Sequence, residues 1–221
     1  MTVLLAVASA AGSTSEQAGS GPADASGPAT GDPDIQDAGH LVHRTLSGDG
    51  SVTARVASQD DSHEWAKAGI VIRDGTARGT GYAALVVTPD HGVRLLWGYG
   101  EDRAGSTGGA PRWLRLTRTG TTVVGYESAD GDDWDRVGEV ELDGLPAGVD
   151  AGMIVASPSR LDIERQFGSE SITEVSTQGQ ATFDHVAVEP EDGPSASAAT
   201  PGWADHDASL VPGDGASSRA G

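Results

Sequence analysis

The sequence predicts an all-β protein, a two-layer antiparallel sandwich of about ten strands with disordered tails. Three observations predict this fold. Apolar and polar residues alternate over short runs, which is the pattern of strands that bury one face. Glycine-containing pairs separate these runs, and no run of about ten residues combines a helical period with helix caps. A closed barrel is the alternative, and the absence of a repeat of roughly 20 to 50 residues argues against a propeller.

The alternation is clearest in three runs, at residues 52–56, 66–73 and 113–117. In the third run, Leu114 and Leu116 form the predicted buried side, so that Trp113 and Arg115 point away from the core. Further strands are predicted at 41–46, 81–88, 92–99, 121–128, 137–142, 149–157, 170–175 and 181–188. The turns between strands are predicted at Asp49-Gly50, Asp74-Gly75, Asp130-Gly131 and Asp143-Gly144, where glycine tolerates the positive φ of tight hairpins.

Composition excludes several functions. The chain has 221 residues, and 14 Lys and Arg against 33 Asp and Glu give a formal net charge of −19. Nucleic acids and anionic membrane surfaces are therefore not expected as partners, because both require a basic face on the protein. Cysteine is absent, which excludes disulfides, thiolate metal sites and a cysteine nucleophile.

The ends of the chain differ in composition from its centre. Residues 1–33 are predicted to be a signal-like apolar run followed by a Gly/Ser/Ala/Pro linker, residues 34–189 the sandwich domain, and residues 190–221 a low-complexity acidic tail. Trp203 is the bulky residue of that tail and is expected to be exposed. The apolar run is too short to span a bilayer, and it favours a secreted or extracytoplasmic protein, with a cytoplasmic one as the alternative.

Several segments, in this order along the chain, are similar to concanavalin A-like jelly-roll domains of the type labelled "regulation of enolase". They are residues 34–35, 46–56, 65–73, 113–120, 128–134 and 181–186. The resemblance covers roughly 34–189 and implies a jelly-roll sandwich. Such domains occur alone, beside secreted glycosidases and in extracytoplasmic parts of actinobacterial ABC-type permeases, so the resemblance implies no single activity. The short, Gly-rich stretch before Leu41 predicts an incomplete first strand and a fragment of a longer protein.

Glycoside hydrolases on this fold use two carboxylates that reach one glycosidic bond. Glu139 and Glu141 are the comparable pair and would share one face of a strand. Their spacing and order do not match the Glu-x-Asp-x-Glu pattern of those enzymes, and the neighbouring Val140 and Leu142 are expected to point inward. A solvated face is the preferred interpretation, and no catalytic residues and no enzymatic activity are predicted.

Asp130, Asp132 and Asp133 form the densest carboxylate cluster, with Trp134 next to it. Such a loop could hold calcium, which prefers oxygen ligands. The preferred interpretation is a hairpin turn in which Asp130 accepts hydrogen bonds from nearby amides, Gly131 adopts positive φ and Trp134 folds back onto the sheet. No cofactor is therefore predicted, and calcium is the alternative.

The six histidines are dispersed along the sequence. His40 and His43 could approach one another, and His185 lies on the last predicted strand of the domain. Together with Asp184 they could bind zinc. Isolated histidines satisfied by backbone groups are the preferred interpretation.

The predicted outward side chains include rings and cations, which suit a sugar-binding surface because rings stack on pyranoses and guanidinium groups bond hydroxyls. Candidate ligand-binding residues are Trp113, Arg115, Lys67, Arg73, Arg94, Trp97 and Tyr99. The same residue types suit a protein interface, and ordinary packing within the sandwich is the further alternative. We expect Trp113, Arg115, Lys67 and Arg73 to share the concave face of one sheet. Arg94 is a further candidate for that face, whereas Trp97 and Tyr99 belong to a run with apolar residues on both sides and fit either face.

The sequence thus predicts a non-catalytic module that binds a glycan or another extracytoplasmic ligand. One alternative is an interaction module of a transporter or envelope assembly, with an envelope protein as partner. A glycoside hydrolase is the other alternative.

Overall fold

A computed structural model describes residues 3–8, 38–77, 80–98, 100–158, 160–166, 169–175, 177–191 and 202–209. Within these ranges every regular element is a β-strand, and all strand pairs are antiparallel. The described part of the chain contains no helix that is long and apolar enough to cross a membrane. The prediction of an all-β, two-layer antiparallel sandwich is confirmed.

One layer is a six-stranded sheet. Its strands, in spatial order, are β1 (Val3–Ala8), β14 (Gln178–Pro190), β3 (Gly50–Gln59), β8 (Arg112–Thr119), β9 (Thr122–Ser128) and β10 (Asp135–Glu141). The other layer is a seven-stranded sheet with the order β15 (Ala204–Ser209), β2 (Ala38–Ser47), β11 (Gly148–Ser157), β4 (Lys67–Arg73), β5 (Tyr82–Thr88), β6 (Gly92–Trp97) and β7 (Glu101–Ala104). A separate hairpin, formed by β12 (Arg160–Gln166) and β13 (Ser169–Val175), joins the end of β11 to β14.

All eleven predicted strands are present, and four others, β1, β7, β12 and β15, were not predicted. Strand β7 shows why: its sequence Glu-Asp-Arg-Ala has no apolar alternation and all four residues are exposed. An exposed edge strand needs no buried face, so its formation depends on the open edge of β6.

The main core fills the space between the two sheets. Its large, fully buried side chains are Leu46, Ile70, Ile72, Leu85, Leu95, Leu114, Leu116, Met153 and Phe183. The period-two alternation predicted at residues 52–56 and 113–117 is confirmed, because Val52, Ala54, Val56, Leu114 and Leu116 are buried and the residues between them are only partly buried. Burial of a side chain of this size contributes about 1.5–3 kcal/mol of hydrophobic free energy.

The seven-stranded sheet differs from the predicted one-sided pattern because both of its faces are buried at its centre. The outward side chains there form a second apolar cluster, which consists of Leu41, Val71, Tyr82, Ala84, Val86, Ile154 and Ala156. The centre of this sheet also needs glycine at Gly69 and Gly152, since a Cβ at either position would collide with the backbone of the adjacent strand.

One buried carboxylate, Glu127, holds the loop between β7 and β8. Its exposed fraction is 4 %. It accepts hydrogen bonds from the backbone N–H of Ser106 at 2.6 Å and from the hydroxyl of the same residue at 2.5 Å, and the guanidinium of Arg112 lies 3.8 Å away. Such pairing compensates for the cost of burying a charge.

The prediction of a disordered tail is wrong at residues 204–209, which form β15 on the edge of β2. Trp203 is not exposed as predicted but partly buried against the main core, with the guanidinium of Arg44 6.0 Å from its ring centroid. The ring nitrogens His43 Nε2 and His206 Nδ1 are 3.0 Å apart. Residues 13–33 and most of the predicted tail lie outside the described residues.

We expect Trp203→Ala to loosen β15, because the substitution removes the large side chain that packs this segment against the core. The free energy of unfolding should fall by about 1–2 kcal/mol. Amide hydrogen exchange should accelerate at Ala204–Ser209 while the central strand β8 stays protected. Asp205→Ala, at an exposed position of the same strand, is the control. Unchanged exchange in Trp203→Ala would show that this contact does not hold the strand.

Candidate functional site

The alternation of β8 brings two of the predicted binding residues to the outer face of the six-stranded sheet. Leu114 and Leu116 are fully buried in the core, whereas Trp113 and Arg115 are only partly buried. The predicted orientation of these four side chains is therefore confirmed.

The prediction that Lys67 and Arg73 share a face with Trp113 and Arg115 is wrong. Lys67, Arg73 and Arg94 belong to strands β4 and β6 of the other sheet. Trp97 packs against the main core, and Tyr99 lies outside the described residues. The period of a strand shows which of its residues share a side but not which sheet the strand joins, because partner choice depends on pairing between distant segments.

The three candidate cations on the seven-stranded sheet are tied to local partners. Arg73 is 1 % exposed and donates to the carbonyl of Ala77 at 2.9 Å and to Thr80 Oγ1 at 3.3 Å. Arg94 pairs with Asp102 at 2.5 Å. Lys67 Nζ donates to a backbone carbonyl at 3.3 Å. Because the Arg73 side chain is almost completely buried, it cannot contact a ligand, and its role is in packing.

A separate aromatic contact lies beside these cations. The Trp65 and His91 rings stack with centroids 3.6 Å apart and an interplanar angle of 17°. The guanidinium of Arg94 lies 5.6 Å from the Trp65 centroid. Trp65 therefore gives a useful comparison for the tryptophans of the six-stranded sheet.

Strand register assembles the candidate site from three adjacent strands. Arg55 of β3 lies directly opposite Trp113 of β8, and Thr53 lies opposite Arg115. On the other side of β8, Arg115 lies opposite Tyr126 of β9. Directly opposite residues of antiparallel strands share a face, so these side chains form one surface.

The hairpin between β9 and β10 covers part of Trp113. Gly131 has φ of +93°, and a Cβ added there would be 2.8 Å from Trp113 Cε2, so the glycine backbone lies directly on the indole ring. The Nε1–H of Trp134 donates to the carbonyl of Gly131 at 3.0 Å. The hairpin thereby fixes both tryptophans beside each other.

Arg115 is held in a defined orientation by two neighbours. Its guanidinium carbon lies 3.9 Å from the centroid of the Trp134 ring, which is a close cation–π contact. Its Nε donates to Thr53 Oγ1 at 3.2 Å. We call Trp113, Arg115, Tyr126 and Trp134, which are all partly buried, the aromatic face.

A β-bulge in β14 adds polar groups at the border of the aromatic face. The register with β3 shifts between Asp184 and Ala187, and His185 has φ of +51°. Asp184 Oδ2 accepts from Arg55 Nη1 at 2.9 Å, and Asp184 Oδ1 is 2.9 Å from His185 Nδ1. The His185 ring in turn contacts Trp113, with centroids 4.7 Å apart.

Sequence reasoning missed the place of Arg55, Asp184 and His185 in this cluster, although a signal was present. Ala181 and Phe183 point into the core, and so do Val186 and Val188. The apolar pattern therefore changes from odd to even positions within β14. Such a change of phase indicates a bulge, which turns a side chain towards the opposite face.

The Asp130 hairpin has the three features of the predicted turn. Asp130 Oδ1 accepts from the backbone N–H groups of Asp132 and Asp133 at 2.9 and 3.0 Å, and from the Ser128 hydroxyl at 3.0 Å. The amide of Asp132, then that of Asp133, and the Ser128 hydroxyl lower the pKa of this carboxyl. Calcium binding by these aspartates stays an untested alternative.

The predicted zinc constellation does not form, because His43 and His185 lie on different sheets. His43 instead contacts His206, and its Nδ1 is 3.0 Å from Asp150 Oδ1. Across the described ranges, no three His, Asp or Glu side chains are arranged to hold a metal ion.

Glu139 and Glu141 are both exposed and lie on the outer side of the edge strand β10. Glu139 pairs with Arg136 at 2.6 Å. Glu141 accepts hydrogen bonds from the hydroxyls of Thr121 and Thr122, and these bonds lower its pKa, that of Thr121 most strongly. A general acid of a glycosidase needs a raised pKa, so the geometry favours the solvated face.

Comparison with known proteins identifies no family: no family model matches the sequence, and neither does any curated protein. Among solved structures, the chain is similar to a functionally unknown protein from Saccharomyces cerevisiae, with a TM-score of 0.51 and 17 % identity over 69 % of this chain and 75 % of that one. At this identity the likeness shows the fold alone.

Two weaker similarities are to a xylan β-1,4-xylosidase from Bacillus halodurans C-125 and a SAP-like pentraxin from Limulus polyphemus. The first has a TM-score of 0.42 and 16 % identity, covering 65 % of this chain and 28 % of the xylosidase. The second has a TM-score of 0.36 and 16 % identity, covering 73 % and 72 %. The chain therefore spans less than a third of the xylosidase, and neither similarity bears on activity.

Asp130→Asn should lower the melting temperature at pH 7, because the ionised carboxylate accepts the hairpin's hydrogen bonds more strongly than a neutral amide. The folded-state pKa of Asp130 is lowered, so its contribution is present above the unfolded value of about 4 and is lost as the pH falls through the folded pKa. The difference between wild type and variant should therefore shrink below about pH 4.

Thermal unfolding from pH 7 to pH 2 measures this difference. Asp132→Asn removes a neighbouring charge and leaves the Asp130 hydrogen bonds in place, so it controls for net charge. If the difference in melting temperature between the wild type and Asp130→Asn stayed constant with pH, the lowered pKa assigned to Asp130 would be wrong.

Proposed function

We propose that this domain is a non-catalytic module that binds a glycan on the aromatic face. The main support is a contiguous surface in which Trp113, Tyr126 and Trp134, all partly exposed, surround the guanidinium of Arg115. Indole and phenol rings offer flat apolar surfaces to the C–H face of a pyranose, and guanidinium N–H groups bond its hydroxyls.

The rigidity of this surface supports the proposal. Trp113 is held by Gly131, Trp134 bonds the carbonyl of the same glycine, and Arg115 bonds Thr53 while lying on the Trp134 ring. Side chains that are already ordered lose little conformational entropy when a ligand binds. The aromatic face is thus suited to polyhydroxylated ligands, whose individual contacts with a protein are weak.

The central strands of the six-stranded sheet carry little of the chain's negative charge. The chain contains 33 Asp and Glu. Strands β3, β8 and β9 contain one acidic residue among them, Glu127, and that side chain is buried towards the core. A ligand on these strands therefore meets rings, hydroxyls and guanidinium groups. We include the extracytoplasmic location predicted from the sequence, where glycans are accessible, as part of this proposal.

Binding of the wild type to a panel of neutral polysaccharides, measured by affinity electrophoresis and calorimetry, tests the proposal. Trp134→Ala should weaken binding at least about tenfold, because the substitution removes one ring of the aromatic face and the cation–π contact that orients Arg115. Trp65→Ala removes a stacked tryptophan on the other side of the sandwich and should bind as the wild type does. Equal binding by wild type and Trp134→Ala would refute the assigned surface, and no binding to any polysaccharide would refute glycan recognition.

A further inference from the structure

On the basis of the glycan-binding function above, we propose that Arg55, Asp184 and His185 recognise an adjacent pair of free sugar hydroxyls beside Trp113. The ligand class is then a neutral polysaccharide whose pyranose units keep two adjacent hydroxyls free, as 1,4-linked pyranoses do. We call these three residues the bulge cluster.

Backbone geometry is the first reason. In a regular strand, Asp184 and His185 would point to opposite faces of the sheet. The bulge and the φ of +51° at His185 place both side chains near the outer face, where Asp184 meets Arg55 and His185 meets Trp113. A non-glycine residue in the left-handed region is strained, and such strain often marks functional positions.

Hydrogen bonding in the bulge cluster is the second reason. When the His185 ring is neutral and donates its Nδ1–H to Asp184 Oδ1, the lone pair of the ring is at Nε2. The His185 side chain is 61 % exposed. Nε2 can therefore accept a hydrogen bond from a ligand hydroxyl.

Arg55 supplies the complementary donors. Its Nη1 is committed to Asp184 Oδ2 at 2.9 Å, and the side chain is 32 % exposed. The remaining N–H groups of the guanidinium can donate to an oxygen of a ligand. One carboxylate thus holds an acceptor and a donor next to each other at the border of the Trp113 ring.

An adjacent pair of hydroxyls matches this arrangement. One hydroxyl donates to His185 Nε2, the other accepts from Arg55, and the sugar ring lies against Trp113. Within a 1,4-linked pyranose chain, hydroxyls 2 and 3 are both free and adjacent. Within a 1,3-linked chain, the hydroxyl at carbon 3 is consumed by the linkage, so no adjacent pair remains.

The first experiment compares three neutral probes: soluble β-1,4-glucomannan, soluble β-1,3-glucan, and glucomannan whose adjacent hydroxyls have been opened by periodate and reduced by borohydride. We expect the wild type to bind glucomannan at least about tenfold more tightly than either of the others. Equal binding of glucomannan and β-1,3-glucan would overturn the inference.

The second experiment uses His185→Gly, because glycine adopts positive φ without strain. This variant should keep or raise the melting temperature and yet lose at least about tenfold in affinity for glucomannan. Trp65→Ala should keep both the affinity and the linkage preference. Full affinity and preference in His185→Gly would overturn the role of the bulge cluster.

The two proposals fail in different ways. If the wild type binds both polymers equally and Trp134→Ala loses binding to both, the aromatic face is retained and the hydroxyl-pair inference is wrong. If the wild type binds neither these polymers nor any other polysaccharide, glycan recognition and the inference are both wrong.

Discussion

Burial of Leu114 and Leu116 between the two sheets is the constraint on which the candidate site depends. Both side chains are fully buried, and β8 pairs with β3 on one side and with β9 on the other. A shift of one residue would expose the leucines and bury Trp113 and Arg115, at a cost of several kcal/mol in lost hydrophobic free energy. The orientation of the aromatic face is therefore a consequence of core packing.

Two irregular segments complete the surface that this packing creates. The Asp130 hairpin lays Gly131 on Trp113 and carries Trp134 over Arg115. The bulge in β14 brings His185 to Trp113 from the side of β8 opposite to the β9–β10 hairpin. Regular strands alone would leave the outer face as an open, flat sheet, so the shape of the site depends on these irregular segments.

The two sheets contribute differently to the surface of the domain. The centre of the outer face of the seven-stranded sheet is apolar and buried, with Leu41, Val71 and Ile154 fully inaccessible. The outer face of the six-stranded sheet presents rings, hydroxyls and guanidinium groups. The similarity to solved structures shows the fold alone, so the proposed function depends on these side chains and on their contacts.

The sequence by itself determined the eleven predicted strands, the inward direction of Leu114 and Leu116, and the Asp130 turn, because each of these follows from short-range periodicity or from local hydrogen bonding. Only the tertiary structure decided that Lys67 and Arg94 lie across the sandwich from Trp113, and that β15 pairs with β2. These features depend on pairing between segments far apart in the chain, and a repeating pattern within one strand contains no information about its partner.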